Sequence, residues 1–176
     1  LLFVQNILYK LGEQLSKPSA QAPSANEGGR AYMNSDFIVA VHALVFLNHK
    51  KSVVSSEALA ENVCTNAARV RKVMAPLKRA GLVETREGNE GGYRFAADPA
   101  GTDLASIAEA LGVRFVEARW HSGDADKECL VASGMGGIMD DVFADLDECC
   151  RERLKRVTVA SIDGRIFGGA SAAKSA

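Results

Sequence analysis

The sequence lacks the features that mark secreted, membrane-spanning and metal-binding proteins. Four cysteines occur among 176 residues, and they form neither CxxC pairs nor the spacing of a disulfide framework. No run approaches the roughly 20 apolar residues of a membrane helix, and the apolar start has neither a cationic leader nor a clear cleavage site. We therefore expect a soluble protein of the reducing cytoplasm.

An excess of charge of either sign is also missing. The chain carries 21 Lys and Arg against 22 Asp and Glu, which gives a formal net charge of -1. A nucleic-acid site, if present, must therefore appear as a local cluster of cations and not as a high net charge. The length suits one domain with a full core and a few appended helices, and it is too short for two large domains.

The first 32 residues differ in composition from the rest. Residues 16–29 read "SKPSAQAPSANEGG", which is typical of a linker, and "MNSDF" at Met33 resembles a natural start. Before the linker, apolar residues recur at steps of three and four, which predicts an amphipathic helix with Leu1, Val4, Leu8, Leu11 and Leu15 on one side. We interpret residues 1–32 as an arm and linker, either non-native or an added helix that packs on this domain or a partner.

Three helices are predicted between residues 36 and 80. "DFIVAVHALVFLNHK" is apolar nearly all round, as a helix buried on several sides is, and Asp36 can cap it. "SSEALAENV" begins with a Ser cap and predicts a short second helix. In "TNAARVRKVMAPLKRAG", Thr65 or Asn66 can cap a third helix that ends at Gly81 and buries Val70, Val73, Met74 and Leu77. Pro76 is expected to kink this helix after its first turns.

A hairpin and two further helices follow. "LVETR" and "YRFAA" predict two strands joined by the glycine-bearing turn "EGNEGG". Thr102 can cap a fourth helix, and a long helix is predicted within residues 135–162. The tail, residues 163–176, is expected to be disordered. The predicted fold class is mainly α with a small β-hairpin wing.

Three helices followed by a hairpin form a winged helix-turn-helix, in which the third helix enters the major groove of DNA. That helix carries five cations and no acid between residues 66 and 80, namely Arg69, Arg71, Lys72, Lys78 and Arg79. Such a surface can neutralise phosphates and reach guanine edges, while glycines let the hairpin backbone approach DNA closely. The competing interpretation is a solvated helix whose cations pair with Glu57, Glu61 or the acids of residues 140–148.

The segments "SSEALAENV", "VRKVMAPLKRAGLV" and "GGYRFAADPAGTDLASIAEAL", with the final long helix, resemble the Rrf2 family of bacterial transcription regulators. The resemblance covers most of residues 33–160. It implies a winged helix-turn-helix domain over 33–100 and, over 101–162, a connecting helix, a loop and a long dimerisation helix. It also implies a homodimer that binds a roughly palindromic operator.

The resemblance places functional residues one by one. Major-groove contacts fall on Thr65, Asn66, Arg69, Arg71 and Lys72, and wing contacts fall on Arg86, Gly88, Gly91 and Gly92. The chain departs from the family in "REGNEGGY", where Glu87 separates Arg86 from the first wing glycine. The minor-groove role of Arg86 is therefore not carried over from the family.

The cysteines are a second departure from the family. Cluster-binding members carry three closely spaced cysteines before the long helix, and here that loop holds Cys129 alone. Cys149 and Cys150 are adjacent on a helix and point about 100° apart, and Cys64 lies in the helix-turn-helix turn. We therefore predict no iron-sulfur cluster and no other cofactor.

Cys129 itself is a candidate redox-sensing thiol. Lys127 lies nearby in the sequence, and a neighbouring cation lowers the pKa of a thiol. Glu128 opposes that effect, and an ordinary cysteine is the competing interpretation. His121 lies eight residues earlier and suggests a metal or small-molecule pocket, or a thiol catalyst, but a third member is missing.

The sequence thus predicts a regulator and not an enzyme. "SGMGG" lacks the Lys-Ser/Thr of a phosphate-binding loop. We predict a homodimeric, sequence-specific repressor that binds double-stranded DNA and responds to a redox or small-molecule signal. The alternatives are a winged-helix adaptor for protein contacts and, less favoured by the cysteine spacing, an iron-sulfur cluster sensor. The repressor and the adaptor differ in salt dependence, because only binding through several cations weakens steeply as salt rises.

Overall fold

Six helices and one hairpin form the part of the chain described by the computed structural model, residues 28–88, 91–118 and 120–172. The predicted helix in residues 1–15 and the linker to residue 27 lie outside the described residues. Contacts group the described residues from Tyr32 onward into one compact unit. In order, the elements are α1 (Gly28–Lys50), α2 (Ser56–Val63), α3 (Ala67–Arg79), β1 (Val83–Arg86), β2 (Gly92–Phe95), α4 (Leu104–Leu111), α5 (Leu130–Leu154) and α6 (Val159–Ala172).

Helix α1 begins before the residue predicted to cap it. It starts at Gly28, so that Asp36 lies roughly two turns inside the helix. The expected cap is wrong because the Asp36 carboxylate binds cations of α3 instead of the backbone of its own helix. Much of α1 is nevertheless buried as predicted, through Val39, Ala40, Ala43, Leu44, Val45 and Leu47.

The turn between α2 and α3 is built by local caps. Ser55 caps α2 by accepting from the backbone N–H of Ala58 at 3.1 Å. Cys64 then ends α2 in the left-handed conformation (φ 57°), which cysteine adopts at a cost that glycine avoids. Asn66, not Thr65, caps α3 by accepting from the backbone N–H of Arg69 at 2.8 Å. These caps fix where the cationic helix starts.

Helix α3 packs its apolar side on the core. Val70, Val73, Met74 and Leu77 are all buried, as the sequence predicted. The helix continues through Pro76, which lies in its last turns and removes a single intrahelical donor. The helix ends at Arg79 with Ala80 as its C-cap residue, so the predicted cap at Gly81 is one residue late. Gly81 (φ 74°) makes the left-handed turn that follows, and Leu82 N–H donates to the Leu77 carbonyl at 3.0 Å.

The wing is a two-stranded antiparallel sheet joined by a third short segment. Strands β1 and β2 pair from Val83 opposite Phe95 to Arg86 opposite Gly92. Val54 adds a bridge to Tyr93, with Val54 N–H donating to the Tyr93 carbonyl at 2.9 Å and Tyr93 N–H donating back at 2.8 Å. This bridge was not predicted, and it ties the wing to the segment before α2.

The predicted single helix over 135–162 is wrong, and so is the disordered tail for residues 163–172, while residues 173–176 lie outside the described residues. The chain forms two helices, α5 and α6, and α6 continues to Ala172. The break coincides with hydrogen bonds to the start of α4: Leu104 N–H donates to the carbonyl of Val157, between the two helices, and Val159 N–H, at the start of α6, donates to the Thr102 carbonyl. Thr158 and Ser161 then cap the start of α6 reciprocally.

Helix α6 is held against the end of α1. The ring of Phe167 stacks on His49 at 3.8 Å between centroids, and Asp163 Oδ1 lies 3.5 Å from His49 Nδ1. Val159 is fully buried. These contacts give residues 159–167 a packed face, which explains why they are helical rather than disordered.

The fourth helix has a different cap from the predicted one. Asp103 caps α4 by accepting from Ser106 N–H at 2.7 Å. Thr102 is buried, and its hydroxyl donates to the Asp98 carbonyl at 2.7 Å. Thr102 therefore lies one residue before the N-cap position, and its hydroxyl is bonded to Asp98 instead of to the helix.

Helix α5 is anchored to the α1 and α4 region through one buried carboxylate. Asp147 accepts from the backbone N–H groups of Phe115 and Val116 at 2.7 and 3.1 Å, and from Arg151 Nε at 3.0 Å. Burial raises the pKa of Asp147, but these hydrogen bonds and the Arg151 charge outweigh it and lower the pKa overall. Phe115 in turn packs edge-on against Phe37 of α1, with centroids 5.2 Å apart.

Candidate nucleic-acid interface

The cationic face of α3 lies opposite its buried side. The helix has no acidic residue, and four of its five cations are exposed: Arg71, Lys72, Lys78 and Arg79. Asn66 is exposed at its start, and Thr65 is half-buried in the preceding turn. The start of the helix therefore presents polar and cationic groups together, as a helix that enters a DNA groove requires.

Arg69 does not point into solvent with the others. Its Nε and Nη2 atoms lie 2.9 and 2.8 Å from Asp36 Oδ1 on α1, and it also donates to Ser35 Oγ. Its side chain is only 26% exposed. Lys72 Nζ lies 3.3 Å from the other oxygen of Asp36 but stays 73% exposed. Asp36 thus connects two of the predicted base-reading cations to the first helix.

Arg71 has a looser partner. Its Nη1 atom lies 3.2 Å from Glu57 Oε1 and 3.1 Å from Ser56 Oγ on α2. Both charged side chains are more than half exposed, so the pair is worth little and is easily exchanged for a phosphate. The competing interpretation of the sequence, in which α3 cations pair with Glu57, is correct for this contact.

The wing glycines have three different environments. Gly88 is exposed with φ 106°, and a Cβ there would meet nothing within 4 Å, so its backbone is open to a ligand. A Cβ at Gly91 would lie 2.6 Å from the Arg86 carbonyl oxygen, which makes Gly91 a requirement of the turn. A Cβ at Gly92 would lie 2.2 Å from the Val54 carbonyl oxygen, so Gly92 is required by packing.

The structure brings the predicted residues into two groups. Thr65, Asn66, Arg71 and Lys72 lie at the start of α3, and Arg86 is exposed at the end of β1, beside the turn that carries Gly88. The sequence missed Asp36 and Val54, because both act on residues more than 30 positions away and leave no local pattern. Whether any of these residues contacts DNA stays a prediction.

Cys129 lies far along the chain from this face, directly before α5. Its side chain is exposed, and the backbone N–H groups of Ala132 and Val131 lower the pKa of its thiol. The sulfur makes no capping hydrogen bond of normal geometry, so we attribute this effect to the electrostatic field of the helix start. In Cys150, by contrast, burial raises the pKa of the thiol.

Comparison with known proteins identifies the family. Residues 33–163 match the sequence profile described as "Rrf2: Iron-dependent Transcriptional regulator". The chain belongs to the Rrf2 family. The HTH-type regulator YwnA of Bacillus subtilis (strain 168) is similar to this Rrf2 chain, with 25% identity over 135 residues that cover 77% of this chain and 99% of YwnA.

Solved structures agree with this assignment. A Lactobacillus plantarum protein described as a transcriptional regulator superposes with a TM-score of 0.66 and 25% identity, covering 74% of this chain and 89% of that one. CymR of B. subtilis, the global cysteine regulator, shares the fold with a TM-score of 0.54 and 16% identity, covering 83% and 98%. The chain is thus a transcription regulator of the Rrf2 type with a winged helix-turn-helix fold, and these relatives are named as regulators rather than enzymes.

The family description names iron, and among the described residues the side chains that could bind a metal ion are not grouped to fit it. Within residues 28–88, 91–118 and 120–172, no group of three or more His, Cys, Asp and Glu side chains is placed to hold a metal ion. His121 pairs instead with Asp140, at 2.7 Å between Nε2 and Oδ1. The absence of a cofactor stays a prediction that metal analysis of the purified protein would test. In the same ranges, no helix is long and apolar enough to cross a bilayer.

Proposed function

We propose that this Rrf2 protein is a sequence-specific DNA-binding repressor in which α3 reads bases and the hairpin turn lies along the phosphate backbone. The observation that carries the proposal is the exposed, acid-free face of α3, which begins at the Asn66 cap. Arg71 and Lys72 are exposed there and can neutralise phosphates or reach base edges. The open backbone at Gly88 suits a close approach to DNA.

The test is fluorescence anisotropy with random duplex DNA across a salt series. The wild type is compared with Arg71→Ala/Lys72→Ala, and the control is Arg114→Ala/Lys127→Ala, which removes two exposed cations elsewhere. We expect the slope of log K against log salt to fall in magnitude by about 1–2 in the first variant only. Equal binding by all three proteins would reject the proposal and favour the protein-adaptor alternative.

We also propose that the protein is a homodimer formed through α5. Seven large apolar residues of this helix are exposed, namely Leu130, Val131, Met135, Ile138, Met139, Val142 and Leu146. Ile138, Val142 and Leu146 follow one another at steps of four and form one side of the helix. An antiparallel copy whose helix crosses near Val142 would cover this stripe with the same stripe of its partner.

Sedimentation velocity tests the dimer. Ile138→Glu/Val142→Glu places two charges in the apolar stripe, and Ala144→Glu places one charge about 200° around the helix from Val142. We expect the double variant to sediment as a monomer and Ala144→Glu to remain a dimer. A wild-type monomer at tens of micromolar would contradict the proposed dimer.

Repression and its signal complete the proposal. Occupancy of an operator alone blocks a promoter, so a DNA-bound dimer represses without any contact to the polymerase. For the signal we propose the Cys129 thiol, because it is exposed and has a lowered pKa. An in vitro transcription assay, with and without hydrogen peroxide, tests both the repression and the Cys129 signal. The assay starts from reducing conditions, because we propose that the protein is cytoplasmic. Release of repression that survives Cys129→Ser would reject this thiol as the sensor.

A further inference from the structure

The acid that contacts two cations of α3 at once, Asp36, comes from the first helix. Asp36 uses both carboxylate oxygens: Oδ1 binds the Nε and Nη2 atoms of Arg69 at 2.9 and 2.8 Å, and Oδ2 lies 3.3 Å from Lys72 Nζ. Arg69 and Lys72 are three residues apart and therefore lie on the same side of α3. One carboxylate thus offsets part of the charge of two cations in the region proposed to meet DNA.

Burial makes the two contacts unequal. The side chains of Asp36 and Arg69 are 15% and 26% exposed, and Ser35 Oγ accepts a further hydrogen bond from Arg69. Removing Arg69 from this site would leave a half-buried carboxylate with one fewer partner, which is costly. Lys72 is 73% exposed and can leave Asp36 without such a cost. The acid therefore restrains Arg69 firmly and Lys72 only weakly.

Phosphate contacts supply affinity that does not depend on sequence, whereas base contacts supply specificity. A cation held by Asp36 contributes less to this sequence-independent affinity. We infer that Asp36 is a positioning residue for specificity: it holds the Arg69 guanidinium away from phosphates and lowers the affinity for non-cognate DNA. This inference rests on the proposed DNA-binding function.

The test is the Asp36→Asn variant, which keeps the size of the side chain and removes its charge. Asp126→Asn is the matched control, since it changes the net charge equally at an exposed loop residue. For random duplex DNA we expect Asp36→Asn to steepen the slope of log K against log salt by about one, and to bind roughly three- to tenfold more tightly at 0.1 M salt. Adding Arg69→Gln to Asp36→Asn should return the slope towards the wild-type value.

Specificity is measured with a duplex that the wild type enriches from a random pool. For each protein we take the ratio of its affinity for that duplex to its affinity for random DNA. Relative to the wild type, this ratio should fall in Asp36→Asn and stay unchanged in Asp126→Asn. If Asp36→Asn binds random DNA with the wild-type slope and affinity, the inference is wrong. A purely structural role for Asp36 would lower the melting temperature without steepening the slope.

A second variant keeps the inference testable if Asp36→Asn does not fold. In the wild-type background, Arg69→Gln should leave the slope for random DNA unchanged, whereas Lys78→Gln, at an exposed cation of the same helix, should reduce it by about one. A slope reduced equally by Arg69→Gln would overturn the inference. If the wild type itself shows no salt-dependent binding to any duplex, the proposed function fails instead, and the two failures are thereby distinguished.

Discussion

The winged domain and helix α5 place their apolar residues in opposite environments. In the winged domain, Leu44, Leu59, Met74 and Leu77 are essentially inaccessible to solvent. In α5, Ile138 is 59% exposed and Leu146 is 46% exposed. The core of the first region is completed within this chain, with Ile107 of α4 and Val159 of α6 packed into it. Helix α5 instead leaves an exposed apolar stripe, the surface that the proposed dimer would cover. The comparison indicates that contacts within one chain account for the burial of the apolar residues of α3, whereas they leave those of α5 exposed.

The largest expected effect separates these two kinds of leucine. Leu77→Ala removes a fully buried side chain from the core and should lower the free energy of unfolding by about 2–5 kcal/mol. Leu146→Ala acts on a half-exposed side chain and should cost less than about 1 kcal/mol within one chain.

Urea unfolding at a concentration where the protein is monomeric would measure both. Repeating it at high protein concentration sharpens the comparison, because the Leu146→Ala cost should then grow as the dimer forms. If Leu77→Ala and Leu146→Ala lower the free energy of unfolding of the monomer equally, the two leucines do not differ in burial as described.

Two glycines give the next largest difference. Gly92→Ala forces a Cβ to 2.2 Å from the Val54 carbonyl oxygen, so the wing must shift and the protein should lose about 1–3 kcal/mol. Gly137→Ala lies in α5, where a Cβ meets nothing within 4 Å, and it should gain about 0.5–1 kcal/mol from helix propensity. Thermal unfolding should therefore shift in opposite directions for the two variants. A stable Gly92→Ala would contradict the tight bridge between Val54 and Tyr93.

A smaller, pH-dependent effect is expected where α5 joins the rest. Because the pKa of Asp147 is lowered in the folded protein, its stabilising contribution is fully present above the ordinary carboxyl pKa and is lost as pH falls through the folded value. Asp147→Asn should cost about 1–2 kcal/mol at pH 7 through the lost Arg151 contact. The difference in unfolding free energy between the wild type and Asp147→Asn should narrow below about pH 4.

Urea unfolding of the two proteins between pH 3 and 7 would measure this gap. The control is Asp145→Asn at an exposed position of the same helix, for which no comparable gap is expected. A gap for Asp147→Asn that stays constant across this range would contradict the role assigned to its charge.

The smallest effect concerns thiol reactivity. Alkylation with iodoacetamide, followed by mass spectrometry, should give Cys129 an apparent pKa below that of Cys150, because the helix start lowers the first and burial raises the second. An equal or higher apparent pKa at Cys129 would remove the basis for the proposed sensor.

Local signals in the sequence predicted much of the winged domain. Apolar spacing identified the buried side of α3, Asn66 was a candidate cap, and Gly81 marked the end of the helix. These features depend on neighbours within a few residues, so the sequence displays them directly.

Tertiary contacts explain what the sequence did not predict. Asp36 has the pattern of a cap, and only the fold shows that it binds Arg69 and Lys72. Residues 163–167 were predicted to belong to a disordered tail, and only the fold shows that His49 stacks on Phe167. In the site, therefore, the identities of the cations and the pairing of Arg71 with Glu57 were predictable, whereas the pairing of Arg69 and Lys72 with Asp36 was not.

In the proposed dimer, two winged domains joined through α5 read DNA as a symmetric pair. The most direct test is enrichment of duplexes from a random pool by the wild type, followed by sequencing. We expect an inverted repeat whose half-sites are centred about one helical turn, or a multiple of it, apart, and we expect Ile138→Glu/Val142→Glu to lose the repeat. Failure to enrich any sequence, or enrichment of a single asymmetric site that the double variant binds equally well, would contradict this proposal.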